Sequence, residues 1–185
     1  LAAAGVVVSV DTRHAVTMAA ALDAGARVVN DVSALAHDPE SAGVVARAGC
    51  PVVLMHMRGT PATMHEHAQY ADVGLEVTRE LAARIAAAEA AGIARAAIAI
   101  DPGIGFAKMA ADNLALLQRL PLLLNLGCTL LVGVSRKRFI GTLAGEKLPA
   151  RRLPGSLAAA LHAAQHGAAM LRVHDVAETI QALRV

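Results

Sequence analysis

Apolar, largely β-branched runs alternate along the chain with alanine-rich stretches of helical length, and six of the runs break off at a polar residue. Val6-Val7-Val8-Ser9-Val10 stops at Asp11, Val28-Val29 at Asn30-Asp31, and Val52-Val53-Leu54-Met55 at His56. Ala97-Ile98-Ala99-Ile100 stops at Asp101, Leu130-Leu131-Val132-Gly133-Val134 at Ser135, and Met170-Leu171-Arg172-Val173 at His174. A strand that is apolar on both faces must be covered on both, which predicts a parallel sheet with helical crossovers. In such a sheet the strand carboxyl ends share one rim, where ligands bind. The polar residues at the breaks are therefore expected to converge in space.

The spacing predicts strands over 5–10, 27–32, 51–57, 96–101, 129–134 and 168–173. Helices are expected over 13–24, 39–48, 72–91, 156–166 and 176–184, with a short one over 135–141. Gly25, Gly49 and Gly92 are natural helix stops, and Asp38-Pro39 is a natural helix start. A further helix, capped near Asp112 and stopped by Gly127, should kink or break at Pro121. The loops at 58–70 and 141–154 are the longest, and neither marks a domain boundary, so residues 1–185 read as one domain. A regular βα rhythm fits either a doubly wound sheet or a (β/α)8 barrel, and the barrel needs eight strands and typically about 250 residues.

Composition narrows the function classes. The chain is 56% hydrophobic but only 2% aromatic, so alanine and branched aliphatics fill the interior. Charges interrupt each long apolar stretch, as Arg84, Glu89 and Arg95 do between Leu81 and Ile100. No segment reaches the roughly 18–20 apolar residues of a membrane span. Leu1-Ala2-Ala3-Ala4-Gly5 has no basic leader and runs into a strand, which argues against a signal peptide. A net charge of +2 without a basic stripe or interleaved aromatics argues against nucleic-acid binding. Cys50 and Cys128 read as small buried hydrophobes, which fits a reducing cytoplasm.

The expected rim set is Asp11, Asn30, Asp31, His56, Asp101, Ser135, Arg136, Lys137, Arg172, His174 and Asp175. Carboxylates, an amide and an ammonium suit a flat heterocycle that presents both donors and acceptors. Arg172 and His174 suit a phosphate or pyrophosphate, and Ser135 is expected to head a helix whose free N–H groups favour an anion. Each residue also has a plainer reading. Asp11 is a possible helix cap, Asn30-Asp31 an ordinary turn, and Lys137 a member of a solvated cluster with Arg136 and Arg138. His56 is expected to be structural and oriented by neighbouring backbone. His65-Glu66-His67 reads as an exposed loop because no third metal ligand is evident. Arg172 resists a plain reading, since a charge inside an apolar strand is costly unless paired.

Seven motifs in order identify a resemblance. Ser9-Val10-Asp11-Thr12, Asn30-Asp31-Val32, Leu54-Met55-His56-Met57-Arg58-Gly59 and Asp101-Pro102-Gly103-Ile104-Gly105-Phe106 come first. Gly133-Val134-Ser135-Arg136-Lys137, Gly155-Ser156-Leu157-Ala158 and Arg172-Val173-His174-Asp175 follow. Over its whole length the chain resembles the dihydropteroate synthase family of pterin-binding enzymes. The resemblance implies a TIM (β/α)8 barrel and the joining of 6-hydroxymethyl-7,8-dihydropterin pyrophosphate to para-aminobenzoate, with magnesium assisting departure of pyrophosphate. It implies that Asp11, Asn30, Asp101 and Lys137 hydrogen-bond the pterin, with Met55 and Gly133 beside it. It places Phe106 and Ser135 on the para-aminobenzoate side, Ser135 taking the carboxylate. It gives Arg172 and His174 the pyrophosphate, and it makes Asp101, Lys137, Arg172 and His174 the catalytic set. The implied transition state is largely dissociative, so a carboxylate at Asp101 would face a cationic pterin. A cytoplasmic homodimer formed through the outer helices, the C-terminal one included, is also implied.

The departures from the family matter as much. Family members begin with two further βα units, whose loops bring a magnesium-binding Asn and a Thr-Arg-Pro segment. The chain is thus expected to form strands three to eight of the barrel, to carry no metal ligand of its own, and to turn over little or not at all. Its outer strands should present open edges. Ala107 stands where glycine is usual, and Arg138 where a small polar residue is common. Two other functions remain open from sequence: a pterin-binding module of a methyltetrahydrofolate methyltransferase, and a non-catalytic remnant.

Overall fold

A computed structural model describes residues 1–185. The strands β1 (Ser9–Asp11), β2 (Val28–Asp31), β3 (Val52–Met55), β4 (Ile98–Asp101), β5 (Thr129–Val132) and β6 (Met170–Leu171) lie in chain order in one parallel sheet. The helices α1 (Ala15–Asp23), α2 (Ser41–Ala48), α3 (Val73–Ala90), α4 (Ala110–Gln118) and α5 (Leu120–Leu124) connect the first five. After β5 come α6 (Arg138–Ala144) and α7 (Leu153–Gln165), and α8 (Val176–Arg184) follows β6. Unbroken strand order excludes the doubly wound alternative, in which the order reverses at a switch point.

One ion pair shows that the sheet is rolled. In a flat six-stranded sheet the edge strands would sit roughly 24 Å apart, at about 4.8 Å per gap. Yet Arg172, just past β6, donates from Nη2 to Asp11 Oδ2 at the end of β1, at 2.8 Å. The architecture is therefore a partial (β/α)8 barrel. β1 pairs only with β2 and β6 only with β5, so both outer edges are open, as expected. Those two strands are also shorter than the expected 5–10 and 168–173, because each has a ladder on one side only; Val7 and Met170 are exposed.

Register assigns each side chain to a face. Val10, Val29, Val52 and Ile98 lie side by side across four strands. With Leu54, Ile100, Leu130 and Val132 they pack against the helices. On α3 the buried Val77, Leu81, Ile85 and Ala88 recur at helical spacing and meet that layer. The opposite parity forms the inner wall of the barrel.

Helix boundaries were partly legible. Asp72 caps α3 by accepting from Leu75 N at 3.0 Å. Pro121 does break the long helix, opening α5 after Arg119. Asp38 serves two segments: its Oδ1 accepts from Glu40 N at 3.0 Å, in the turn that leads into α2. Its Oδ2 accepts from Ala15 N at 2.8 Å, so it also caps α1 from outside; the regular helix α2 begins at Ser41. Asp112 sits in the third position of α4 and caps backwards, accepting from Met109 N at 2.8 Å. Ala107 has φ 48°, the left-handed region that costs an L-residue about 1–2 kcal/mol, which explains why glycine would be the easier residue there.

Candidate functional site at the strand carboxyl ends

Strand parity builds the site. Asp11 pairs in register with Asn30, Asn30 with Val53, and Val53 with Ala99. Met55 pairs with Asp101 one layer nearer the rim. Carried through β5 and β6, the same parity reaches Gly133 and Arg172. A Cβ built at Gly133 would lie 3.7 Å from Arg172 Cβ and 3.9 Å from Asp101 Oδ2, which confirms the shared face. Asp11, Asn30, Met55, Asp101, Gly133 and Arg172 therefore line one inner wall.

Asp31 has the other parity, in register with Leu54. Its carboxylate is consumed by the turn after β2, accepting from Ser33 N at 2.7 Å, Ser33 Oγ at 2.6 Å and Leu35 N at 3.1 Å. It belongs to the scaffold and leaves the rim set.

Asp101 occupies the middle of the wall and is buried. Oδ1 accepts from Gly103 N at 2.7 Å, and Oδ2 has no hydrogen-bond partner within the protein. Burial pushes its carboxyl upward, opposed by the Lys137 ammonium, the Gly103 N–H and Lys108. Lys137 reaches the same space: its Nζ donates to Ile104 O and stands 4.7 Å from the Phe106 ring centroid. Burial lowers the Lys137 ammonium from its ordinary value, and Asp101 acts against that. A Cβ at Gly105 would come within 3.1 Å of Lys137 Cδ, so glycine there keeps the path of the lysine open.

The loops after β5 and β6 are locked together. Ser135 Oγ lies 2.9 Å from His174 Nδ1 and accepts from His174 N at 3.2 Å. Arg136 Nε donates to Asp175 Oδ2 at 3.0 Å. Arg136 itself is left-handed, with φ 58°, and its N–H donates to Ser156 Oγ at 2.8 Å. This bend delivers Lys137 to the pocket. It also corrects one expectation: the helix starts at Arg138, so Ser135 heads no helix and offers no helix end to an anion. Arg172 is likewise not inside a strand; it is exposed beyond β6 and paired with Asp11.

His56 is structural, but side chains orient it. Nε2 lies 2.9 Å from Glu80 Oε2, and Nδ1 lies 2.9 Å from Lys108 Nζ. Arg58 joins the group, donating from Nε to Glu80 Oε1 at 3.0 Å and lying 4.1 Å over the Tyr70 ring. Glu80 is held down to about 2 by the His56 hydrogen bond and by Arg58, against its burial. Sequence reading missed Lys108, Glu80 and Tyr70, and gave Arg58 a place in a motif but no role. The one available signal was Glu76 and Glu80, four apart on a helix face, facing Arg58.

Magnesium, which the resemblance implies, is usually held by one or two protein oxygens together with substrate phosphates and water, so it needs no large cluster of protein ligands. No group of three or more His, Cys, Asp or Glu side chains is placed to hold a metal ion. The carboxylates at the mouth face cations already, Asp11 against Arg172 and Asp101 beside Lys137.

Comparison with known proteins agrees with this geometry. Residues 1–174 match the model of the pterin binding enzyme family. The dihydropteroate synthase of Escherichia coli K12 is 44% identical over 178 residues, covering 96% of this chain and 62% of the relative. A structure of dihydropteroate synthase from Xanthomonas albilineans in complex with 7,8-dihydropteroate superposes with a TM-score of 0.91 at 50% identity, covering 97% of this chain and 65% of that one. The Thermus thermophilus dihydropteroate synthase in complex with 6HMPPP gives a TM-score of 0.94 at 46% identity, covering 98% and 72%. The chain thus spans 62% of the length of the curated Escherichia coli relative.

Proposed function

The chain belongs to the pterin-binding enzyme family, and on that premise we propose that its inner wall holds a dihydropterin pyrophosphate for the dihydropteroate synthase reaction. In that transferase reaction of folate biosynthesis the para-aminobenzoate nitrogen bonds to the pterin methylene carbon. The carbon–oxygen bond to pyrophosphate breaks, and the amine gives up a proton. The single observation that carries this reading is the shared parity of Asp11, Asn30, Met55, Asp101, Gly133 and Arg172 across the sheet.

The unpartnered Oδ2 of Asp101 is suited to accept from the pterin ring and to stabilise positive charge developing there. Lys137 supplies a donor on the same side, with Asn30 and Met55 completing the walls. Phe106 is assigned to para-aminobenzoate. Ser135 keeps that assignment only through its hydroxyl, which His174 shares. Arg172 and His174, both exposed at the mouth, are assigned to pyrophosphate. No step is routed through magnesium.

Relatives crystallised with 4-aminobenzoic acid and with 7,8-dihydropteroate support this ligand set. A homodimer is part of the proposal, supported by the exposed Leu143, Ile180 and Leu183 on the outer helices. Two free cysteines suit a reducing cytoplasm, and no helix is long and apolar enough to cross a membrane. The methyltransferase-module reading ranks lower, because Arg172 and His174 are better matched to a departing pyrophosphate.

Arg172 is already engaged by Asp11, so the leaving group must compete for it and is poorly served by these residues alone. Release of pyrophosphate by the 185-residue polypeptide is therefore expected well below about 1 per second. Turnover at or above that rate in a coupled assay with both substrates contradicts this part of the reading.

A further inference from the structure

We propose that Lys108 is a positioning residue of the pocket: with His56 it anchors the turn that follows Asp101 and carries Phe106. This rests on the reading of the pocket given above and extends it to a group that does not touch substrate. Lys108 is only 8% exposed. Its Nζ meets three acceptors: His56 Nδ1 at 2.9 Å, Phe106 O at 3.0 Å and Gly103 O at 3.2 Å.

The proton inventory closes on that arrangement. Two nitrogens 2.9 Å apart need one proton between them. His56 Nε2 spends its hydrogen on Glu80 Oε2 at 2.9 Å, so Nδ1 is the acceptor and Lys108 the donor. The ammonium, the form present below about pH 7, has three N–H bonds and all three are taken. The neutral amine above that pH keeps two of them and no longer bears the cost of a buried charge. All three acceptors belong to the end of β3 or to the turn after β4, the same turn whose Ile104 O receives Lys137. The approach is close enough that a Cβ at Gly103 would stand 2.0 Å from His56 O. A buried ammonium costs far more than a methionine of equal reach, so filling space does not account for it.

Charged and titratable groups surround Lys108 from each neighbouring element. Asp101 at the end of β4 and Glu80 on α3 favour its charged form, while Lys137 after β5 and Arg58 after β3 oppose it. The Tyr70 ring lies 5.9 Å away. Burial outweighs the favourable partners and brings the lysine down to about 7. When the turn opens, Lys108 is hydrated and returns towards its ordinary value. Above pH 7, opening therefore takes up a proton, and its cost rises with pH by up to about tenfold per unit.

Hydrogen exchange at the amides of Gly103, Gly105 and Phe106, corrected for intrinsic rates, tests this on the ligand-free chain. Protection is expected to be flat below pH 7 and to rise between pH 7 and 9. Lys108→Met should abolish the rise and weaken binding of 6-hydroxymethyl-7,8-dihydropterin pyrophosphate by about tenfold. Glu80→Gln, a milder change at a half-exposed site, should move the onset to lower pH. A flat parent profile, a rise that persists in Lys108→Met, or an onset unmoved in Glu80→Gln overturns the proposal. A parent that keeps the rise but binds no pterin leaves the anchor supported and removes the pocket reading instead.

Discussion

A single hydroxyl, that of Ser156, shows how much of the pocket depends on residues outside it. Its Oγ accepts from Arg136 N at 2.8 Å and donates to Arg152 O at 2.7 Å, which holds the left-handed bend that aims Lys137 inward. Ser156→Ala leaves a buried N–H without a partner, so unfolding in urea should show a loss of about 1–3 kcal/mol. An unchanged midpoint would mean that the bend is held by the Arg136–Asp175 pair and by Arg152, whose Nη1 donates to Arg136 O at 3.0 Å. At this scale the sequence was informative about inward-facing residues: Asp11, Asn30 and Asp101 were legible as interruptions of apolar runs, and Lys137 lies two residues beyond another such break. It was not informative about their partners. Lys108 follows a glycine-rich turn with no periodic signal around it, and nothing local marks it as buried. The pairing of Asp11 with Arg172 joins residues 161 positions apart, a contact that only closure of the sheet creates.

Elements were legible in type and uneven in extent. The C-terminal helix was expected over 176–184 and is found at Val176–Arg184. The edge strands shrank, since ladder length depends on a neighbour that local sequence does not show. Asp38 serves a second helix besides the expected one because a cap can come from another segment, which spacing alone does not reveal. The α3 helix gives a pH test of these ties. Glu80 accepts from His56 and Arg58 and is held at about 2 in the folded chain, below its ordinary value of 4.5. A lowered carboxyl contributes its full stabilisation above pH 4.5 and loses it as pH falls through about 2. Thermal melts between pH 5 and 2 should therefore fall more steeply for the parent than for Glu80→Gln. Parallel curves would show that Glu80 gains nothing from its partners.

The whole molecule is a rolled parallel sheet whose inner wall, read by parity, brings distant residues to one mouth. The βα rhythm made the barrel legible, but the choice between barrel and open sheet needed strand order and the closure between β1 and β6. The family's chemistry then sets what the mouth should bind. Calorimetric titration of the chain with 6-hydroxymethyl-7,8-dihydropterin pyrophosphate tests that claim most directly. The parent should bind, and Asp101→Asn and Lys137→Ala should each lose about ten- to a hundredfold in affinity, the worth of one charge-assisted hydrogen bond. Equal affinity in the parent and both variants would contradict the assignment of this wall to the pterin.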